Sequence, residues 1–291
     1  VADGGPMKVL VATDGSKYGR WAIEWVAKLP LMVKPVLRVL HVVDVASLRA
    51  PFMIQPVVMG TERYIQQEVK RMEAAAKAAK TESKDLLSSL GMSGTVTLER
   101  GAVASTITKH ASRGVGLLAL GSRGLDALDR FMLGSISTHA IHHAACSVLI
   151  VKEAPRPLRQ IVLAIDGSAA SDKAVRFLLR NLTAQPNGPE EQPVNVTVVH
   201  AMPFLKYPEV RETGKAIVQR YADKLAKAGF QVQEAPKLGK PAEEILKVAK
   251  AHKADLIVTG AKGLGAIGRV LLGSVSTRVV QHSTCSVLVV R

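Results

Sequence analysis

The feature that most constrains this chain is an internal duplication. Residues 134–151 (GSISTHAIHHAACSVLIV) and 273–290 (GSVSTRVVQHSTCSVLVV) are identical at ten of eighteen positions without a gap. Further upstream, VATDGS (residues 11–16) matches LAIDGS (residues 163–168). Solenoid repeats have periods of roughly 20–50 residues, far shorter than this one. The chain is therefore predicted to contain two copies of one domain.

The stretch KEAPRPLRQ (residues 152–160) separates the copies, and its Pro155 and Pro157 disfavour helix there. We predict a first domain over residues 1–154 and a second over residues 155–291. Apolar residues make up 47% of the chain and aromatic residues only 4%, so small aliphatic side chains must fill the cores. Such a composition suits parallel strands that are buried on both faces.

Apolar runs alternate with helical stripes in both copies. The predicted strands are residues 8–13, 36–43, 95–99, 116–120 and 147–151, and then residues near 160–165, 194–201, 230–235, 255–259 and 286–290. Ser16 is the predicted N-cap of the first helix. Strict alternation of strands and helices implies parallel strands joined by crossovers. The predicted fold class is α/β, with two tandem doubly wound domains.

The formal net charge is +15, but the basic residues are scattered over predicted helix faces. This indicates a solvated basic surface that favours anions, without a specific nucleic-acid site. The sequence has no apolar run long enough to span a membrane and no apolar signal core in its first residues, VADGGP, so we expect a cytoplasmic protein. Cys146 and Cys285 are predicted to be buried thiols.

Each copy carries glycines at one spacing after its fourth strand. They are Gly121, Gly124 and Gly134 in the first copy, and Gly260, Gly263 and Gly273 in the second. Glycine lets a ligand approach the backbone, and the first amides of a helix lack partners, so this spacing predicts an anion site. Hydroxyl donors would be added by Ser135, Ser137, Ser274 and Ser276. The alternative is that the glycines only form turns.

Asp14 and Asp166 each follow the first strand of a copy. At the switch point of a doubly wound sheet, Asp14 would lie near Gly121 and Asp166 near Gly260. A carboxylate beside phosphates is favourable only if it holds a ribose hydroxyl, an adenine amine or Mg²⁺. The alternative is that each aspartate merely caps a turn or a helix.

Together these motifs resemble the universal stress protein family in its nucleotide-binding form. The resemblance rests on the twofold GX2GX9G(S/T) pattern, on DGS after each first strand and on the closing CSVLIV and CSVLVV. It covers about residues 7–151 and 160–291. It implies a five-stranded parallel sheet of order 3-2-1-4-5 in each domain, flanked by helices. It also implies ATP, or ADP or AMP, bound with Mg²⁺ or Mn²⁺ at the carboxyl ends of the strands.

Carried over by position, the glycines and the serines that follow them would hold the ribose and phosphates. Asp14 and Asp166 would face the adenosine or the metal. The backbone after the second strand, at Val42 and Ala201, would contact adenine. The candidate cations near the phosphates are Arg123 and Lys262, and no residue is assigned as a metal ligand.

The two loops differ in charge. The first contains Asp126 and Asp129 where the second has Gly265 and Gly268, which predicts tighter nucleotide binding at the second site. Gly116 also replaces the aspartate that usually begins the fourth strand in this family, as Asp255 does in the second copy. Different local capping is therefore expected there.

Three classes of function remain open. We favour a stress-response or signalling module that binds adenine nucleotide at two sites. A weak ATPase or nucleotidyl-transferring enzyme would need a base beside the phosphates, and no convincing one is identifiable. The paired histidines His41, His143, His200 and His282 are interpreted as structural. The third class is a dimerising scaffold whose nucleotide loops are vestigial.

The last strand of each copy, SVLIV or SVLVV, would be an exposed apolar edge of its sheet. Such edges tend to pair, so we predict an intrachain pseudo-dimer of the two domains at these strands. A further homodimer is left open. The apolar segment 46–60 is interpreted either as a lid or partner surface, or as ordinary packing over the sheet.

Overall fold

The structure is a computed structural model that describes residues 5–45, 61–112, 114–124, 133–185, 193–202, 208–263 and 272–291. The described residues form ten strands and eight helices, and both copies have the same order of elements. Every predicted strand is present, with bounds that differ from the prediction by at most three residues.

The first copy consists of β1 (Lys8–Ala12), α1 (Lys17–Lys28), β2 (Val36–Val43), α2 (Thr61–Ser89), β3 (Gly94–Arg100), α3 (Val103–Ala111), β4 (Leu117–Gly121), α4 (Ser135–His143) and β5 (Ser147–Val151). The second consists of β6 (Gln160–Ala164), α5 (Ala169–Asn181), β7 (Asn195–Met202), α6 (Pro208–Lys227), β8 (Gln231–Leu238), α7 (Pro241–Ala251), β9 (Leu256–Gly260), α8 (Ser274–His282) and β10 (Ser286–Val290).

All ten strands form one continuous sheet, in the order β3-β2-β1-β4-β5-β10-β9-β6-β7-β8. Neighbouring strands within each copy are parallel, so the expected order 3-2-1-4-5 is confirmed twice. The copies meet at β5 and β10, which pair antiparallel with Val148 opposite Val289. The strands of the two copies therefore run in opposite directions, and their carboxyl ends lie at opposite edges of the sheet.

Side chains alternate along the strands between two apolar layers, one on each face of the sheet. Val9 and Val11 belong to the layer under α1, α2, α5 and α6, whereas Leu10 and Ala12 belong to the layer under α3, α4, α7 and α8. Both layers include side chains from both copies. The predicted N-cap Ser16 is confirmed, because its Oγ accepts a 3.1 Å hydrogen bond from Gly19 N.

Reciprocal contacts reinforce the junction between the copies. Lys152 follows β5, and its Nζ donates to Ser283 O at 2.6 Å and to Gln281 O at 3.3 Å, at the carboxyl end of α8. Arg291 follows β10, and its guanidinium donates to Ile141 O in α4. Burial at this junction lowers the pKa of Lys152 to about 8. Each copy therefore stabilises the carboxyl-terminal part of the other's closing helix.

Asp255, directly before β9, explains how the segment between the copies is held. Its Oδ2 accepts from Arg159 N at 2.9 Å and from Gln160 N at 2.8 Å, and its Oδ1 pairs with Arg156. The counterpart Gly116 has no such side chain, but its N–H bonds to the neighbouring strand as that of Asp255 does, both at 2.9 Å. The boundary at residues 154 and 155 stays a prediction.

Candidate functional sites

One cavity opens at the carboxyl ends of the strands in each copy, about 620 Å³ in the first (site 1) and about 540 Å³ in the second (site 2). All eight residues predicted for site 1 line its cavity: Asp14, Val42, Gly121, Arg123, Gly124, Gly134, Ser135 and Ser137. All eight predicted for site 2 line the other: Asp166, Ala201, Gly260, Lys262, Gly263, Gly273, Ser274 and Ser276. The structure thus brings each predicted set together.

The aspartates lie beside the second glycine of each loop. A Cβ on Gly124 would be 2.6 Å from Asp14 Oδ2, and one on Gly263 would be 2.5 Å from Asp166 Oδ2. The other oxygen of Asp14, Oδ1, accepts from Ser16 N at 2.9 Å. Asp166 Oδ1 likewise accepts from Ser168 N at 3.0 Å, so both aspartates cap a turn and lie against the glycine loop. That they also hold a ligand stays a prediction.

The first glycine of each loop has a packing role that was not predicted. A Cβ on Gly121 would lie 2.6 Å from Tyr18 Cβ and 2.8 Å from Tyr18 C, and one on Gly260 would meet Ala170 at the same distances. These contacts come from the first helix of each copy, so glycine is required here for close packing of helix on strand. Both glycines also line their cavities, and the role predicted for them in ligand binding stays a prediction.

The third glycine, Gly134 or Gly273, directly precedes α4 or α8. Close packing does not require glycine at either position. A Cβ added to Gly134 would be 3.4 Å from its nearest atom, and one added to Gly273 would be 3.5 Å from its nearest atom. Both have ordinary negative φ angles, −63° and −64°. Among the described residues, no side chain caps either helix, whereas Ser16 and Ser168 cap α1 and α5. Both helix N-termini thus open into a cavity with room for an anion.

The serines of the two helices divide into two pairs. Ser137 and Ser276 are buried, and each hydroxyl donates at 2.7 Å to the carbonyl of Gly121 or Gly260. In this structure their hydroxyl protons hold the helix to the strand end, and donation to a ligand by these two serines stays a prediction. Ser135 and Ser274, at the first helical positions, are exposed at the cavity.

The two backbone positions expected to contact adenine lie inside strands. Val42 is the residue before the end of β2, and Ala201 is the residue before the end of β7. The predicted strands, residues 36–43 and 194–201, already contained both positions, so describing them as following the strand was wrong. Their contact with adenine stays a prediction. Both nevertheless line their cavities.

The first site has a cation held by an aromatic ring. Arg123 Nη1 donates to Tyr18 Oη at 3.1 Å, and the guanidinium carbon lies 5.5 Å from the Tyr18 ring centroid. The second site has Lys262, with Ala170 in the place of the tyrosine. Sequence reasoning missed Tyr18, because its role depends on contact between residues far apart in the chain.

The paired histidines after the second strands are hydrogen-bonded within the protein. His41 is buried, and its Nε2 lies 3.0 Å from Ser83 Oγ. Burial lowers the pKa of His41, and the neighbouring Asp14 only partly offsets this. His200 Nδ1 donates to Ile165 O at 2.9 Å. These bonds support the structural interpretation of both rings.

Some predictions concern residues outside the described part of the chain. One is the charge difference between the two loops, in which Asp126 and Asp129 of the first correspond to Gly265 and Gly268 of the second. The other is the interpretation of segment 46–60 as a lid, a partner surface or ordinary packing. Within the described ranges, no group of three or more metal-ligating side chains is arranged around a metal position, and no helix is both long and apolar enough to cross a membrane. Cys146 and Cys285 are buried as predicted, and burial raises the pKa of Cys146 to about 11.

Two tandem doubly wound domains, each with a glycine-lined cavity and an aspartate at its strand ends, define a class of α/β ligand-binding folds. The sequence profile of the universal stress protein family matches residues 6–152 and 157–291. The chain therefore belongs to the universal stress protein family.

Individual proteins agree with this assignment. A universal stress protein of Mycolicibacterium smegmatis is 31% identical over 298 residues, which cover 97% of this chain and 96% of that protein. One of Thermus aquaticus is 38% identical over 142 residues, 46% of this chain and 98% of its own length. The crystal structure of a universal stress protein from Archaeoglobus fulgidus covers 98% of both chains with a TM-score of 0.69 at 21% identity, which shows the shared fold.

Proposed function

We propose that this chain is a stress-response or signalling module that binds ATP, or ADP or AMP, at site 1 and site 2. The observation that carries the proposal is the pair of helix N-termini at Gly134 and Gly273. Each lacks a side-chain cap and opens into a cavity that also contains an aspartate and a cation. Unpaired amides and the helix dipole favour phosphate at such a position.

The remaining residues fit the rest of a nucleotide. Cavities of about 620 and 540 Å³ lie within the usual range for small-ligand sites, roughly 300–1,000 Å³. Asp14 and Asp166 would either accept from ribose hydroxyls or bind a divalent cation, while Arg123 and Lys262 would neutralise phosphate charge. The backbone at the ends of β2 and β7 would contact adenine.

A divalent cation fits these sites only together with the nucleotide. Each described cavity offers one aspartate near the glycine loop, and Mg²⁺ is commonly held by one or two carboxylates together with substrate phosphates. We therefore propose that Mg²⁺ or Mn²⁺ enters with the phosphates, with Asp14 or Asp166 as its protein ligand. The metal would neutralise phosphate charge there.

The enzyme alternative lacks a base among the described residues of the two sites. His41 is bonded to Ser83 and His200 to Ile165 O, so neither ring is arranged to position water at the phosphates. We propose slow hydrolysis at most. The scaffold alternative predicts that the purified protein neither retains nor binds nucleotide.

The first experiment is to denature freshly purified full-length protein and identify the released nucleotide by mass spectrometry. Calorimetric titration of the nucleotide-free protein should then give two sites per chain. Gly134→Val and Gly273→Val should each reduce this number to one, because the added side chain fills the space before the helix. Each variant is the control for the other. Two sites remaining in both variants would contradict the proposal.

A further inference from the structure

Three histidines lie on α4, where the second copy has one. His139, His142 and His143 correspond to Arg278, Gln281 and His282. The ring centroids of His139 and His143 are 4.3 Å apart, because residues four apart in a helix lie on the same face. The nucleotide sites described above do not use this cluster, so it needs a separate explanation.

The accessibility of these rings favours metal ligation. His143 is exposed and His139 is partly exposed, so ions from solvent can reach both. A neutral imidazole is the commonest metal ligand in proteins. None of the three rings on α4 has a hydrogen-bond partner within the described part of the chain.

The geometry selects His139 and His143 as the pair. The ring centroid of His142 is 6.4 Å from that of His143, whereas the centroids of His139 and His143 are 4.3 Å apart. The Arg291 guanidinium is bonded to Ile141 O on the same turn, which places a cation where a metal would be repelled.

The other histidines are less suited to chelation. His110 is bonded to Glu99 Oε2 at 2.8 Å, and His252 Nδ1 lies 3.5 Å from Thr197 Oγ1. His282 is exposed on α8, but Arg278 is the residue four positions before it. The second copy thus supplies a matched comparison with a single ligand in place of two.

We propose that His139 and His143 chelate one divalent transition-metal ion of the Zn²⁺, Ni²⁺ and Cu²⁺ class, with water completing the coordination. Imidazole nitrogen suits these ions, whereas Mg²⁺ and Ca²⁺ prefer oxygen. His143 is the last residue of α4, and a cation there interacts favourably with the helix dipole. The site stands independently of the proposed nucleotide binding.

The test is calorimetric titration of Zn²⁺ into the tag-free, nucleotide-free full chain at pH 7.5. The wild type should bind one ion at this site, and Cu²⁺ should bind more tightly than Zn²⁺. His139→Arg gives the first copy the residue of the second, and His143→Gln removes the other ligand. Each should weaken binding by about tenfold or more. Binding should also weaken at pH 5.5, because protons compete for the rings.

His282→Gln and His142→Gln are the controls and should leave the affinity unchanged. Urea unfolding of each variant will establish that α4 and α8 remain folded. Equal affinity of the wild type, His139→Arg and His143→Gln would overturn the proposal, as would absence of binding at millimolar Zn²⁺. Loss of affinity in His282→Gln but not in His139→Arg would place the ion on α8 and would also overturn it.

Discussion

Both copies form the same turn after their first strand and place a hydroxyl group beside it. The hydroxyl comes from a residue before the turn in the first copy and from a residue after the turn in the second. In site 1 Thr13 Oγ1 accepts from Gly15 N at 3.1 Å, and a Cβ on Gly19 would overlap that oxygen. In site 2 the threonine is replaced by Ile165, and Ser171, the counterpart of Gly19, donates from Oγ to Asp166 Oδ1 at 2.8 Å. The duplication has therefore kept a hydroxyl beside the turn while its source has moved.

The walls of the two cavities differ as well. In site 1, Met72, Ala75 and Ala76 of α2 contribute to the lining, whereas the described lining of site 2 includes no residue of α6. Helix α2 has 29 residues and α6 has 20. Similar backbones thus present different surfaces to similar ligands, and affinity at the two sites need not be equal.

The largest expected effect concerns Asp255, which has no side-chain counterpart in the first copy. Asp255→Ala should lower the free energy of unfolding by about 3 kcal/mol, because it leaves two backbone donors and Arg156 without their acceptor. Urea unfolding measures the change. Glu243→Ala is the control, since its ion pair with Lys240 is exposed and its loss should cost less than about 0.5 kcal/mol. Equal effects would contradict the role given to Asp255.

The next effect should be the same in both copies. Gly121→Ala and Gly260→Ala should each lower the free energy of unfolding by about 1–3 kcal/mol, because the added Cβ collides with the backbone of α1 or α5. Gly134→Ala should change it by less than about 0.5 kcal/mol, since its Cβ has room. A similar cost for all three variants would show that packing explains every glycine.

The affinities of the two sites test the charge difference read from the sequence. Nucleotide binding by Gly134→Val reports site 2 alone, and binding by Gly273→Val reports site 1 alone. The two additional carboxylates in the sequence of the first loop predict an affinity for the proposed nucleotide about tenfold lower at site 1. Calorimetry of both variants measures the ratio. Equal affinities would leave Asp126 and Asp129 without influence on binding.

A double-mutant cycle tests the exchanged hydroxyl. Gly19→Ser should destabilise the protein by about 1 kcal/mol or more, because its side chain meets Thr13. Thr13→Ile with Gly19→Ser recreates the arrangement of the second copy and should recover about 1 kcal/mol of that loss. Thermal or urea unfolding of the four proteins gives the coupling energy. Additive effects would mean that the two positions act independently.

The smallest effect is the pH dependence from His41. The folded protein holds its pKa below the ordinary 6.5, so the unfolded chain takes up the proton at higher pH than the folded protein does. Its contribution to stability is therefore complete above pH 6.5 and decreases as the pH falls, by at most about 1.4 kcal/mol per unit. In His41→Gln, the free energy of unfolding measured with urea should change less between pH 7 and pH 5 than it does in His200→Gln. Identical pH profiles of the two variants would exclude this contribution.

The sequence predicted the duplication, the alternation of strands and helices and most residues around each cavity, because repeats, apolar runs and glycine spacing are local patterns. The strand order and the positions Val42 and Ala201 were implied only by the resemblance to the family. The pairing of β5 with β10 was also predictable, since both strands are apolar after their first residue, a serine. The functions of Gly121 and Ser137 were not, because they depend on contacts with Tyr18 and with the end of β4. The exchange between Thr13 and Ser171 was equally hidden, since the two residues do not align.

The contacts of Lys152 and Arg291 bear on what a separated half of this protein would be. In each half, carbonyl groups near the carboxyl end of the last helix accept hydrogen bonds from a cationic side chain of the other half. A half produced alone would also expose the apolar edge of β5 or β10 to solvent and to other copies. The separated half would therefore have a frayed last helix and a tendency to aggregate. Single-site variants of the intact chain are the sounder way to study one site.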